Sequence, residues 1–141
     1  MILPDVNVLL YAFRRDAPRH ADYRNWLEAI MNGEAPYGIA PQALAALVRI
    51  STHPRVYIHP SGLAEALAFC EAVLAPPHCT IVQPGPRHWD LFSGLCSSAR
   101  ATGNLVQDAW FAALAIESGC EWITTDRDYG RFPGLRWREP V

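Results

Sequence analysis

Short apolar runs alternate with helical stretches along this chain, and proline or glycine stands at most of the boundaries. No other feature constrains the fold as much, because a short strand followed by a crossover helix returns to its sheet most readily in parallel. Met1 to Val6 reads as a buried strand, and Val8 to Phe13 begins a helical stretch. Ala17 to Met31 reads as an amphipathic helix with Tyr23, Trp26, Leu27 and Ile30 on one face. Pro36, Gly38 and Pro41 mark a break, after which Pro41 leads a helix to Thr52. Ser61 offers an N-cap to a helix that runs through Glu65 to Leu74. Thr80 to Val82 is a brief strand, and Pro86 to Ala101 is a helix with Trp89, Phe92 and Leu95 in its stripe. Asn104 is placed to cap a strongly apolar helix from Leu105 to Ser118, with Gln107 in the capping-box position and Gly119 as C-cap. Glu121 to Thr125 reads as a strand, and Arg136 to Arg138 as a last short one. The expected fold class is α/β, with a central, mainly parallel sheet flanked by helices. In such sheets ligands gather outside the carboxyl ends of the strands.

That rule selects acidic residues. Asp5 ends the first strand and precedes a helix, while Asp126 ends the strand Glu121 to Thr125 and Asp128 follows it. Both strand ends open on the same edge of a parallel sheet. Asp108 lies near the start of the apolar helix that feeds the later strand, so it belongs to the same edge. Each aspartate alone also reads as a turn or cap residue, or as a charge answering the helix dipole. Asp108, flanked by Val106, Ala109 and Trp110, is the most awkward to explain that way. Converging carboxylates repel one another and resist burial. A hard cation such as Mg2+ or Mn2+ relieves both problems through oxygen ligands, and it can polarise a phosphodiester and activate water.

The bulk properties are compatible with this reading. Half of the 141 residues are apolar and 18% are charged, the balance of a globular protein. The formal net charge is −2, so affinity for nucleic acid must come from local basic patches. All 12 lysine-or-arginine positions are arginine, and each supplies a planar fork suited to phosphate. Cys70, Cys79, Cys96 and Cys120 form no CxxC pair. Asp5 interrupts the N-terminus before an apolar run develops, and no stretch is long enough to span a membrane. The expectation is a cytoplasmic protein with reduced thiols.

Four segments carry a resemblance: PDVNVLLYAFRRDAPRH with Asp5, PQALAALVRISTHPRV, GNLVQDAWFAALAIESG with Asp108, and CEWITTDRDYGRFPGLRW with Asp126 and Asp128. In this order they resemble the PIN domain and, within it, the VapC toxins of bacterial toxin–antitoxin pairs. The resemblance covers nearly the whole chain and implies a single PIN domain over residues 1–141. It implies a Mg2+-dependent endoribonuclease, with Mn2+ as a possible substitute, that acts on RNA. It also implies a homodimer restrained by a cognate antitoxin protein. By family position Asp5 and Asp108 are the principal metal ligands, Asp126 completes the catalytic set, and Asp128 is auxiliary. Asn7 and Thr125 are expected to orient ligands or water behind them.

One departure stands out. The family usually carries a glutamate in the second of these segments, and here that position is Ala46. The alternative reading is therefore a catalytically impaired PIN scaffold that binds RNA or a partner without cutting. An aspartyl phosphotransferase built on Asp5 lacks a second aspartate and any lysine, and a dinucleotide enzyme lacks GxGxxG after the first strand. RNA is expected to track Arg14, Arg15 and Arg19 after the first motif, Arg49 and Arg55 around the second, and Arg127 and Arg131 near Asp126. The helices Ala17 to Met31 and Ser61 to Leu74 carry apolar surface suited to a second copy or to an antitoxin segment.

Overall fold

In the computed structural model, which describes residues 1–141, five strands form one sheet. They are β1 (Ile2–Pro4), β2 (Tyr37–Ile39), β3 (Cys79–Ile81), β4 (Glu121–Ile123) and β5 (Trp137–Arg138). The order is β3-β2-β1-β4-β5 and every pairing is parallel. Six helices flank it: α1 (Val6–Phe13), α2 (His20–Asn32), α3 (Pro41–Ser51), α4 (Leu63–Leu74), α5 (His88–Ala99) and α6 (Asn104–Ser118). The α/β class expected from the alternation is the class observed. The chain builds outward from β1 through β2 to β3, then crosses to β4 and β5 on the other side. The gap beyond the carboxyl ends of β1 and β4 is thus the topological switch point, where a crevice forms.

Several elements differ from the sequence expectation, each for a local reason. The break at Pro36, Gly38 and Pro41 contains β2, whose Tyr37 and Ile39 are fully buried beside β1. A Cβ on Gly38 would stand 2.8 Å from Val82 Cγ2, so glycine there lets the neighbouring layers close up. Pro4 has no N–H to give, and the β1–β2 ladder is confined to Ile2 opposite Tyr37, while the Asp5 N–H donates to the Ile123 carbonyl at 2.8 Å on the β4 side. Gly62, not Ser61, caps α4. Gly103, not Asn104, caps α6, at φ 58° and ψ −130°, a conformation that side chains with a Cβ resist. The buried stripe of α5 runs through His88 and Leu95, and Trp89 faces solvent at 69% exposure. Gly119 ends α6 in the left-handed region, as expected of a C-cap glycine.

A cluster of 28 buried residues packs the helices onto the sheet, with Leu3, Leu9, Leu47, Leu114 and Trp122 among those fully enclosed. All four cysteines are unpaired. No helix is long and apolar enough to cross a membrane.

Arg14 departs most clearly from its expected role. Its Nε and Nη2 grip Asp16 at 2.9 and 2.6 Å, and its Nη1 donates to the His59 carbonyl and Ser61 Oγ. The Tyr57 ring lies 3.8 Å from the guanidinium carbon. With its side chain 9% exposed and its donors engaged within the chain, Arg14 clasps the α3–α4 loop. Arg14→Ala is expected to lower the unfolding midpoint by roughly 5 °C. Hydrogen exchange should rise across residues 53–62 while the far-UV spectrum is kept. Unchanged exchange in that loop would remove the clasp from the account.

Candidate active site

The crevice at the switch point is a cleft of about 820 Å³ lined by Asp5, Asn7, Asp108 and Asp126, with α3 as another wall. Asp5 is placed by the step from strand to helix. Its backbone N–H extends the pairing with β4, and its Oδ1 accepts from the Val6 N–H at 2.6 Å, capping α1. Asp126 follows β4 and starts a short 3₁₀ turn, Arg127–Arg131, by accepting the Asp128 N–H at 2.9 Å. Asp108 sits one turn into α6, half-buried, and accepts from the Tyr129 hydroxyl at 3.3 Å. Three carboxylates distant in sequence thus converge as the parallel edge requires.

Their electrostatics are those of like charges crowded in a partly dry place. Burial pushes the Asp5 carboxyl up to about 6, a rise that Thr124 and Val6 oppose by hydrogen bonding and that Asp108 and Asp126 reinforce. Burial also raises Asp108, with Asp126 and Asp128 adding to the effect and Tyr129 opposing it. Burial and these carboxylates together hold the Tyr129 phenol firmly protonated, so it serves Asp108 as a donor.

Thr124 is the residue that sequence reasoning missed. It is fully buried, and its Oγ1 donates to Asp5 Oδ2 at 2.6 Å. The same oxygen accepts from the Asp126 N–H at 3.0 Å and from Asn7 Nδ2 at 3.4 Å. One hydroxyl therefore fixes the relative positions of Asp5, Asn7 and Asp126. The neighbouring Thr125 makes no side-chain hydrogen bond to these groups, whereas Thr124 bonds to all three. Asn7 is where it was expected, and its Oδ1 is buried without a partner.

The donor set is all oxygen: three carboxylates and the unpartnered Asn7 carbonyl. That chemistry fits a hard divalent cation. No set of three or more His, Cys, Asp or Glu side chains is gathered tightly enough to hold an ion unaided, so the fit is to a cation that keeps part of its water shell, as Mg2+ does. Asp128 stands outside the cleft lining and pairs loosely with Arg131 at 3.8 Å. Among the arginines, only Arg49 lines the cleft. Arg127 is paired with Glu139 at 3.5 Å, Arg19 with Asp22 at 3.0 Å, Arg15 lines a different groove, and Arg55 is exposed on the α3–α4 loop. Ala46 also lines the cleft, so the position of the missing glutamate does face the acids.

A parallel five-stranded sheet with acidic residues collected at its switch point is the architecture of the PIN domain. The PIN domain family model matches residues 2–135, and the chain belongs to that family. Within it the chain belongs with the VapC proteins. It is 42% identical over 141 residues to ribonuclease VapC43 of Mycobacterium tuberculosis, covering 100% of this chain and 96% of the relative. It is 41% identical over 140 residues to ribonuclease VapC25 of the same organism, covering 99% of each. Among solved structures it resembles a chain of VapBC2 from Rickettsia felis bound to a DNA fragment from their promoter, with TM-score 0.72, 20% identity, and coverage of 99% of this chain and 98% of that one. A chain of VapBC-1 from nontypeable Haemophilus influenzae aligns with TM-score 0.70 at 15% identity, covering 99% and 98%. At these identities the solved structures speak for the fold.

Proposed function

We propose that this chain is the toxin of a type II toxin–antitoxin pair and acts as a Mg2+-dependent endoribonuclease, with Mn2+ able to substitute, hydrolysing RNA phosphodiester bonds in the cleft of Asp5, Asp108 and Asp126. The observation that carries this reading is the convergence of those three carboxylates at the switch point, two of them raised by burial and mutual repulsion. The names of the VapC relatives support it.

Bound there, a divalent cation supplies the positive charge that polarises the phosphodiester and activates water. The rest is the work of the chain. Asp5, Asp108 and Asp126 would hold the cation from three separate elements, with Asn7 Oδ1 beside them and Asp128 as an outlying auxiliary. Thr124 and Tyr129 donate hydrogen bonds that keep Asp5 and Asp108 oriented. No histidine lines the cleft, so no side chain there other than a carboxylate is suited to take a proton at neutral pH.

The cognate antitoxin is assigned to the apolar groove between α2 and α4, where Phe13, Leu27, Met31 and Phe69 surround about 270 Å³ and Arg15, Arg24 and Glu28 supply charge. The likeness in fold to chains of VapBC2 and VapBC-1 supports such a partner. The same reading takes the protein as a cytoplasmic homodimer of single PIN domains.

The test is cleavage of structured RNAs by purified protein at graded Mg2+ and Mn2+, with EDTA and Asp108→Asn as controls. Metal-dependent cleavage that disappears in both controls is the expected outcome, with Asp108→Asn keeping its fold. Cleavage that survives Asp108→Asn would dismiss this site. Failure of the wild type both to cleave and to bind Mn2+ in a calorimeter would favour the impaired scaffold that Ala46 suggests.

A further inference from the structure

Arg49 is the only cationic residue lining the acidic cleft. It projects from the last turn of α3, one turn after Ala46, and small Ala45 and Ala46 leave space before it. Its guanidinium makes no ion pair with any carboxylate and no hydrogen bond within the chain. The other arginines that have ion pairs spend them on surface aspartates and glutamates. Arg49 is exposed at the rim of the cleft, and an unpaired planar fork beside three carboxylates is suited to an anion that the protein itself does not supply.

We infer that Arg49 is a catalytic residue that binds the non-bridging oxygens of the scissile phosphate from the α3 side and stabilises the charge that develops on them. The inference rests on the nuclease reading above and extends it. In hydrolysis the water oxygen bonds to phosphorus while the bond from phosphorus to one ribose oxygen breaks. That oxygen leaves with a proton, and the non-bridging oxygens carry additional negative charge in between. Asp5, Asp108 and Asp126, which would hold a divalent cation, line one side of the cleft. The α3 wall, where the family's glutamate is absent, meets the phosphate with Arg49 from another. Electrostatic donors aimed at such charge are commonly worth about 100- to 1,000-fold in turnover.

Three measurements on Arg49→Gln and Arg49→Lys test this, using the wild type throughout as reference. Arg49→Gln is expected to reduce kcat at least 100-fold with a KM change of only a few-fold, and Arg49→Lys to recover part of the loss. Mn2+ affinity by calorimetry should stay within about twofold, which a structural or metal-positioning role would not leave intact. Anisotropy binding of a labelled hairpin RNA in EDTA should show a salt slope reduced by about one on Arg49→Gln. Wild-type turnover in Arg49→Gln, an unaltered salt slope, or loss of Mn2+ binding would each overturn the assignment. If no protein cleaves RNA yet the slope still falls, the nuclease reading fails while the phosphate contact of Arg49 stands and its catalytic role is overturned.

Discussion

Asp5→Asn is expected to make the metal-free protein more stable at pH 8 than the wild type, and to silence it. The Asp5 carboxyl is 7% exposed and is raised to about 6 from an ordinary value of 3.8. A carboxyl raised by folding binds its proton more tightly in the native state than in the unfolded chain. Its contribution is therefore fully present below about pH 4 and is lost as pH rises through about 6. At pH 8 the native state bears a buried charge worth about 2–3 kcal/mol of destabilisation by linkage. Asparagine keeps the size and the cap acceptor and discards that charge, turning its Nδ2 as a donor toward the Thr124 hydroxyl where the carboxylate accepted from it. Denaturant unfolding in EDTA should show Asp5→Asn ahead at pH 8 and the two proteins drawing together near pH 4. Mn2+ should close the gap at pH 8 by stabilising only the wild type, because a ligand that binds the native state alone raises stability by mass action. A variant less stable than wild type in EDTA at pH 8 would show that the site is not under electrostatic tension. Stability gained where activity is lost is the usual mark of a functional position.

Thr124→Val should do the reverse, costing both stability and function. Valine matches threonine in shape, so the core around it remains filled. What disappears is the hydroxyl that donates to Asp5 and accepts from the Asp126 amide and Asn7. Leaving a buried carboxylate without its donor and an amide without its acceptor costs about 2–4 kcal/mol. With its ligands no longer held in register, the site is expected to lose about 10- to 100-fold in Mn2+ affinity. Thr124→Ser retains the hydroxyl and should restore most of both. Calorimetry and urea unfolding at pH 7 check the pair. A Thr124→Val protein with wild-type Mn2+ affinity would reduce Thr124 to packing.

The three carboxylates were legible in the sequence because β/α alternation alone assigns Asp5 and Asp126 to strand ends and Asp108 to a helix start on the same edge. Thr124 was not, and the reason lies in β4. A strand covered on both faces shows no alternation, so Trp122, Ile123 and Thr124 are all buried and periodicity does not distinguish Thr124 from Thr125. The strand β2 was hidden for a related reason. A strand of three residues is too short to display a period, and Gly38 reads as punctuation although its close approach to Val82 is what a packed strand requires. On α5 the apolar stripe continues through His88, whose ring bonds the Trp110 carbonyl at 3.0 Å and stacks near Phe92. Residue type there pointed to Trp89 instead. The fate of Arg14 depended on Asp16, His59 and Ser61 meeting around it, a contact that spans 47 positions and leaves no local trace.

The central place of β1 also sets when the acidic cleft is assembled. The bond from Thr124 to Asp5 spans 119 positions, and β1 receives its β4 neighbour only after α6 has been made. During synthesis from the N-terminus, Asp5 therefore waits for nearly the entire chain before its cleft exists. Partial chains that stop before α6 carry the first acid without the other two. The cleft is in this way confined to chains that extend past β4, whereas every element around the α2–α4 groove is complete by Leu74.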